Sequence, residues 1–572
     1  MARRLGAGQA LLGSIVGSAN RLTIRAVIVD AGRDSARMHN VTVSGSGDSL
    51  TTIISDLAGQ LLSRGSGAWR LSAQDPGTAS WEALRAFMRG RELYTTGRLD
   101  QAGAAFRAAL TLDSTFALAA YWLTVMVASE SGHLGGLDGP QGQSFARAAW
   151  RHRGRLGPEP LSLLVAMVGD SGPIPGRSRL ARHRAMEAAA QSTNLPEAWV
   201  VAGESHLHFG ALLGMVDWAQ RARTAFSRAL SIDPTLRSGL LHISTLMALD
   251  RDTIALKAWM DEVAAEPPEP AFSTEQHVLA LLRGDPKGVS RARSRLADRG
   301  ILPDQSNPAI PGAELDSIMA ELLARADTFT AARRAALACQ AAWLAANRGQ
   351  AQRVRALRPE CHPDAVEADI ETLRFAEDDS AAVRRLGMVA PSPAPTGWMV
   401  PCEVSLFRLR QGDSTGAGAS VRALRSWSAR EAVVCARLID ALSSALRPPA
   451  SMRPLVAMDS IMRHKAWSAP AGDMNPHWNY DLALGFARHA AWADAAAAAR
   501  RRLFGRPIRL AVMLRAEGWY AALAGDTARA LPALRSFLRL RDDPDERLRS
   551  TVDSARVLLS RLEMARPAAD SR

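Results

Sequence analysis

Two segments of the chain carry the same order of apolar and polar positions. Residues 102–114 read AGAAFRAALTLDS and residues 222–234 read ARTAFSRALSIDP, with alanine, phenylalanine, alanine, leucine and aspartate at matching places. The apolar positions recur at intervals of three and four residues, which places them on one face of a helix. The alanines on this face let a neighbouring helix approach closely. The repetition predicts that each copy is half of a helical hairpin.

Pairs of glycines seven residues apart accompany this pattern. The pairs are Gly90 with Gly97, Gly203 with Gly210 and, towards the C-terminus, Gly518 with Gly525. The inner glycine of each pair fits close packing of two helices, and the outer glycine fits a helix C-cap. Three helical hairpins are therefore predicted at these pairs.

Gly-Asp turns extend the hairpin pattern along the chain. They lie at residues 284–286, 412–414 and 525–527, and each separates two segments of helical periodicity. Glycine can end one helix in the left-handed conformation, and a following Asp, Ser or Thr can cap the next helix. Chance would explain any one of these turns, whereas three in the same local context favour a continuous helical array.

The order of helix, short turn, alanine-anchored helix and Asp-Pro or Asp-Ser resembles the tetratricopeptide repeat, whose period is about 34 residues. The resemblance is strongest over residues 81–124 and 196–250. The matching positions include Trp199, Gly203, Ala222, Phe226, Ala229 and Pro234. The chain departs from the motif at Arg89, where an apolar residue is usual, and at Ser114, which stands in place of a proline. Seven extra residues ahead of the second phrase predict a longer turn there.

The resemblance implies a mainly α fold, a tetratricopeptide-like α-solenoid of helical hairpins. It implies repeats at residues 80–264 and diverged hairpins at 265–564, and residues 565–572 are expected to be a disordered tail. Such arrays bind a peptide or protein partner in a groove lined by the first helix of each hairpin. The groove residues implied here are Leu84, Phe87, Arg91, Tyr94, Glu197, Val200, Glu204 and His208.

The first sixty residues follow a different period. Apolar and polar residues alternate over 11–16, 21–29 and 37–44, which predicts three strands of a β-meander. Asp48 or Ser49 then caps a helix whose apolar stripe would cover the sheet. The stripe is formed by Leu50, Ile53, Ile54, Leu57, Leu61 and Leu62. A small unit of β-meander plus helix is therefore expected ahead of the repeats.

This N-terminal unit resembles the second half of the TolB-like domain that precedes tetratricopeptide arrays in many bacterial signalling proteins. The resemblance is carried by LGAGQALLGSIVGSANRLTIRAVIVDAG. Residues 1–63 are therefore expected to form a partial TolB-like α/β domain whose opening strand and helix are missing, and residues 64–79 a linker. In the family with this order of parts, a serine/threonine kinase, DNA-binding or cyclase domain comes first.

The distribution of charge argues against a nucleic-acid partner. The formal net charge is +13, but the basic residues are almost all arginines scattered through the predicted helices. Nucleic acid is not expected as a partner, because phosphate recognition needs clustered cations.

The four cysteines form no CxxC pair, which argues against a zinc knuckle and favours buried, reduced thiols. The sequence has no apolar run long enough to span a bilayer, and its arginine-led start is expected to run into a strand.

Motifs for catalysis or metal binding are weak. Residues 169–173 read GDSGP, the nucleophile signature of chymotrypsin-like proteases, but Ser171 lies between helical segments and a surface turn is predicted. The glycine-rich loop and catalytic motifs of kinases are absent. His206 and His208 fall on different faces of a helix, so a shared metal ion is not expected. The acidic residues at 364–379 predict a solvated helix face.

Two functional hypotheses follow. The first is a non-enzymatic interaction scaffold that binds a peptide or protein partner through its groove, with no cofactor and no metal. The alternative is the sensory or regulatory region of a serine/threonine kinase, or of another signalling protein, whose catalytic domain lies outside this chain. The sequence leaves the partner, the oligomeric state and the cellular compartment open.

Overall fold

The computed structural model is mainly helical, with one small β-sheet near the N-terminus. It describes residues 9–18, 20–30, 38–46, 53, 57, 77–129, 136–137, 139–173, 179–236, 240–263, 273–303, 305, 307–361, 397–446, 451–464, 478–502 and 509–565. The predicted acidic helix face, most of the predicted linker and the tail beyond residue 565 lie outside these ranges. The mainly α fold with a small β-meander is confirmed.

Three strands form an antiparallel sheet in chain order. They are β1 (Gln9–Ser18), β2 (Arg21–Asp30) and β3 (Met38–Gly45). Ile24 of β2 pairs with Val43 of β3, and both side chains are buried against Ile53, which is helical. The predicted meander is therefore confirmed. Apart from Ile53 and Leu57, the helix predicted to cover it lies outside the described residues.

The helices belong to two compact units. Unit 1 comprises Met1–Pro175, Arg182–Gly203 and Thr224–Leu240, and unit 2 comprises Gly176–Ala181, Glu204–Arg223 and Leu241–Arg572. The helices up to residue 263 are α1 (Trp81–Thr95), α2 (Leu99–Leu112), α3 (Ala117–Ser129), α4 (Pro140–Arg151), α5 (Pro158–Val168), α6 (Arg179–Ser192), α7 (Pro196–Phe209), α8 (Trp218–Ile232), α9 (Leu240–Asp250) and α10 (Thr253–Val263).

The remaining helices all belong to unit 2. They are α11 (Ser273–Arg283), α12 (Pro286–Asp298), α13 (Gly312–Ala324), α14 (Ala331–Arg348), α15 (Ala351–Cys361), α16 (Met399–Arg410), α17 (Ser414–Arg425), α18 (Arg430–Leu446), α19 (Arg453–His464), α20 (Trp478–Arg488), α21 (Trp492–Arg500), α22 (Leu510–Leu523), α23 (Thr527–Leu540) and α24 (Glu546–Met564). Short turns join many consecutive helices, which is the order of elements that the repeated phrase predicts.

The inner glycine of each predicted pair lies against a large apolar side chain of the helix that follows. A Cβ atom at Gly90 would lie 2.6 Å from the ring of Phe106, and one at Gly203 would lie 2.6 Å from the ring of Phe226. Near the C-terminus, a Cβ at Gly518 would lie 2.7 Å from the side chain of Leu534. The two helices of each of the three hairpins therefore pack in the same way: an apolar side chain of the second helix fills the space that the glycine of the first helix leaves free.

The predicted Gly-Asp turns have the expected geometry. Gly284, Gly412 and Gly525 all have positive φ, and the aspartate after each glycine accepts a hydrogen bond from a backbone N–H of the next helix. Gly97 also ends its helix with a positive φ of 78°. The prediction was wrong at Gly210, because the longer turn shifts the left-handed position to Gly214, whose φ is 86°.

The two aspartates of the repeated phrase make the same turn. Asp113 Oδ1 accepts hydrogen bonds from the backbone N–H of Thr115 at 2.9 Å and from its hydroxyl at 2.7 Å. Asp233 Oδ1 accepts the equivalent bonds from Thr235 at 3.0 and 2.7 Å. The matching letters in the sequence therefore correspond to matching hydrogen bonds.

Unit 2 departs from a linear array, in which each repeat contacts only its neighbours. The guanidinium group of Arg348, at the end of α14, is buried and donates hydrogen bonds to Asp316 and to the carbonyl oxygen of Leu540. It also forms an ion pair with Asp542, which lies 194 residues further along the chain. The hairpin of α22 and α23 therefore packs against α13 and α14 as well as against its neighbours in sequence.

The prediction of reduced thiols was wrong for the described cysteines. Cys402 of α16 and Cys435 of α18 are fully buried and joined by a disulfide bond, with their Cα atoms 6.1 Å apart. Cys339 is also disulfide-bonded. Helices α16 and α18 pack against each other although α17 lies between them in the chain, and this contact brings cysteines that are 33 residues apart within bonding distance. A disulfide between cysteines this far apart leaves no CxxC pair in the sequence.

Candidate functional site

The side chains expected to line the groove lie mostly inside the fold. Seven of the eight are buried, namely Leu84, Phe87, Arg91, Tyr94, Glu197, Val200 and Glu204. The side chain of His208 is 24% exposed. Within unit 1, Leu84, Phe87, Tyr94 and Val200 belong to one hydrophobic core. The same helix face that would line a groove is therefore used largely for packing between helices.

The structure brings Arg91, Tyr94 and Glu197 of this set into one buried polar cluster in unit 1. The guanidinium carbon of Arg91 lies 4.1 Å from the ring centroid of Trp122, and Tyr94 packs edge-on against the same ring. The hydroxyl of Tyr121 donates a hydrogen bond to Glu197 Oε1 at 3.2 Å. Helices α1, α3 and α7 supply these side chains, so the cluster connects three helices.

Burial and neighbouring charges both shift the pKa values of this cluster. Burial lowers the pKa of Arg91, and the negative charges of Glu197 and Asp233 partly restore it. Burial, together with the charge of Glu197, raises the pKa of Tyr121 well above its usual value. A buried guanidinium next to a carboxylate and an aromatic ring stabilises the fold only if all partners stay in place. We therefore interpret this cluster as a structural element of unit 1.

A second polar set, in unit 2, includes Glu204 and His208. The two residues are four positions apart on α7, which places both side chains on one face, and His208 Nε2 lies 3.2 Å from Glu204 Oε2. His242 of α9 brings its Nδ1 atom to 2.5 Å from Glu204 Oε1. One carboxylate thus lies between two imidazoles, and the three potential ligand atoms lie within 4.8 Å of one another.

Charge keeps Glu204 ionised in this set although its side chain is only 3% exposed. Burial favours the neutral carboxyl group, but the charge of His242 and the hydrogen bonds from both histidines outweigh burial and lower the pKa of Glu204. The histidines are more accessible, since the side chain of His242 is 31% exposed. The set therefore combines a buried anion with two imidazoles that solvent can reach.

Similar polar contacts continue along unit 2 on every second helix. The hydroxyl of Thr245, on α9, donates a hydrogen bond to Glu275 of α11 at 3.1 Å. His277, on α11, lies 2.8 Å from Glu314 of α13, which also accepts two hydrogen bonds from Arg293 of α12. We call the residues that α7, α9, α11 and α13 contribute the polar row. It comprises Glu204, His208, His242, Thr245, Glu275, His277 and Glu314.

The sequence pattern missed most of the polar row. His242 follows Glu204 by 38 residues, and Glu314 follows His277 by 37. Polar residues at this similar separation, on predicted helices that alternate along the chain, were the available signal. The prediction that His206 and His208 face different ways is confirmed: His206 is 3% exposed with its pKa lowered to about 4, mainly by burial, whereas His208 contacts Glu204.

The protease-like motif forms the turn that the sequence predicts. Ser171 is exposed in a turn after α5, and Gly169 and Gly172 on either side of it have positive φ. The ring of Trp150 lies against Gly172, where a Cβ atom would be 2.8 Å from the indole nitrogen. The spacing of the glycines is therefore explained by turn geometry and packing.

Comparison with protein-family models finds no match, and comparison with curated proteins finds no matching relative. Across the described residues, every helix is too short or too polar to cross a membrane.

Proposed function

We propose that this chain is a non-enzymatic scaffold of tetratricopeptide-like helical hairpins that binds a peptide or protein partner. The polar row is the observation that supports this proposal. It presents side chains from four alternate helices of one unit, and such alternation places the first helix of each hairpin next to that of the following hairpin. An extended polypeptide can follow such a row by meeting its partly exposed side chains on α7, α9 and α13. The side chains that α11 contributes, Glu275 and His277, are buried and join α11 to its neighbours.

Recurrent hairpin geometry supports this proposal. The contacts of Gly90 with Phe106 and of Gly203 with Phe226 are the same, and the turns at Asp113 and Asp233 share their hydrogen bonds. Helical scaffolds of this kind act by presenting a rigid surface, which the buried cores of the hairpins supply. The binding residues themselves must be those of the row that solvent can reach.

Accessible side chains in the polar row and directly next to it guide the choice of variants. Charge reversal at Arg91 or Glu204 would disrupt packing because both side chains are buried. His208 is 24% exposed, and the side chain of Arg293, next to Glu314, is 27% exposed. Substitutions at these two positions change the surface of the row at a smaller cost to folding.

Selection of a peptide library on the full chain tests the proposal. Selected peptides should bind the wild type with low-micromolar affinity, and H208E together with R293E should weaken binding by about tenfold or more, which is about 1.4 kcal/mol. The matched control is R556E on α24, where Arg556 forms a 2.6 Å surface pair with Asp553. Equal binding by the row and control variants, or no enrichment over scrambled peptides, would contradict the proposal.

A further inference from the structure

Three metal-ligating side chains of unit 2 converge at one end of the polar row. Glu204 and His208 project from one face of α7, and His242 of α9 completes the group. From this geometry, we propose that Glu204, His208 and His242 bind a divalent transition-metal ion of the zinc class.

The distances fit one small ion with little rearrangement. Zinc binds imidazole nitrogen and carboxylate oxygen at about 2.0–2.2 Å, so ligand atoms around a tetrahedral ion lie about 3.3 Å apart. His208 Nε2 already lies 3.2 Å from Glu204 Oε2. His242 Nδ1, at 2.5 Å from Glu204 Oε1, has to move away by less than about 1 Å, which rotation of an imidazole supplies.

Local helix geometry holds the ligands in place. The spacing of four residues between Glu204 and His208 places both on one helix face, and the ring of His208 packs edge-on against the ring of His242 with centroids 5.2 Å apart. A ligand from each of two helices makes metal binding depend on the packing of α7 against α9. Binding should therefore stabilise this contact.

The donor set selects the class of ion. Two imidazole nitrogens and one carboxylate suit zinc, and also copper, nickel, cobalt and iron(II), whereas magnesium and calcium prefer oxygen ligands alone. Zinc sites with three protein ligands leave a fourth position for water or an incoming group. The partial exposure of His208 and His242 gives an ion a path from solvent.

A metal-free explanation uses the same residues, because a carboxylate between two imidazoles also forms stable hydrogen bonds. The two explanations differ in what a cation does. In the metal-free explanation, zinc does not bind to Glu204, His208 and His242. In the proposed site, zinc takes the place of the hydrogen bonds between the carboxylate and the two imidazoles, and it is bound by all three side chains.

Metal binding by the untagged full chain, stripped with a chelator, tests the proposal. Competition of zinc with a chromogenic chelator should show one equivalent more zinc on the wild type than on H208A or H242A. Each variant should lose that equivalent or bind it more than about 100-fold more weakly, since even outer-shell changes cost up to that factor. H489A is the matched control, a histidine at the end of α20, and should bind as the wild type does.

A second measurement keeps the proposal testable if a variant does not fold. X-ray absorption on the zinc-loaded wild type should show nitrogen and oxygen neighbours at about 2.0–2.1 Å with the scattering pattern of imidazole. The cobalt-loaded wild type should show the visible absorption of tetrahedral cobalt(II). Equal zinc stoichiometry and affinity in the wild type, H208A and H242A, or an absorption spectrum without imidazole scattering, would overturn the proposal.

Discussion

The ring of Phe106 occupies the space that a side chain at Gly90 would need, with the nearest ring carbon 2.6 Å from the position of the missing Cβ. The same relationship joins Phe226 to Gly203. Phe226 lies 120 residues after Phe106, and Gly203 lies 113 residues after Gly90. Two distant parts of the chain therefore solve one packing problem in one way.

We expect G90A to destabilise the protein by about 1–3 kcal/mol, because the added methyl group overpacks the contact with Phe106. Urea unfolding measures the change. Gly103 of α2 is the matched control, since its Cβ would meet its nearest atom, the end of the Arg107 side chain, at 3.4 Å. G103A should be neutral or stabilise by up to about 1 kcal/mol, because alanine favours helix. Equal losses in both variants would show that the ring contact is not the cause.

We expect C402A/C435A to lower the stability of unit 2 by about 4 kcal/mol, because the disulfide restrains a loop of 33 residues in the unfolded chain. Thermal unfolding of both proteins with and without reductant measures this. Peptide mapping without reductant should recover the Cys402–Cys435 cross-link from the wild type. A melting temperature for the variant equal to that of the oxidised wild type would contradict the expectation.

We expect E275Q to stabilise the protein above neutral pH. Burial raises the pKa of Glu275 to about 7, against 4.5 in the unfolded chain, so the folded state binds this proton more tightly. Wild-type stability relative to the variant should therefore fall as the pH rises from 4.5 to 7 and stay low above 7, by up to about 3 kcal/mol.

Urea unfolding of E275Q and the wild type at pH 5 and pH 8 checks this sign. Chelator should be present, because a cation at nearby His242 would favour the ionised form of Glu275. The two proteins should differ little at pH 5. A constant difference at both pH values would mean that Glu275 does not titrate in this range.

We expect R348M to destabilise unit 2 by about 3 kcal/mol. The substitution leaves Asp316 and Asp542 without their shared cation, and the carbonyl of Leu540 without its donor. R535A is the control, because Arg535 and Glu563 form a pair whose side chains are 57% and 43% exposed. Its loss should cost under about 1 kcal/mol in urea unfolding. Similar costs for the two variants would contradict a special role for Arg348.

Local sequence predicted the hairpins well. At Gly284, Gly412 and Gly525, the glycine that ends one helix and the aspartate that caps the next are adjacent in the sequence. The strands around Ile24 show apolar residues at every second position. Such features depend on short-range sterics and hydrogen bonds. They are therefore readable without knowing what packs against them.

Contacts between distant segments could not be predicted in the same way. His242 meets Glu204, and Cys435 meets Cys402, only because hairpins stack at a particular spacing. Arg91 and Glu197 were predicted to line the groove from their helix positions alone, and these positions do not reveal that neighbouring helices enclose both side chains. Burial is a property of the packed units, and one sequence does not carry it position by position.

The contact of Arg348 with Asp542 has a consequence for how the chain folds. A simple repeat protein can start folding at any hairpin and propagate to its neighbours. Here the native environment of Arg348 is complete only when residues 194 positions apart have met, which carries a large loop-closure entropy and slows folding. Unit 2 should therefore gain its final stability in one late, cooperative step, and removal of the last hairpins should weaken α14 far from the cut.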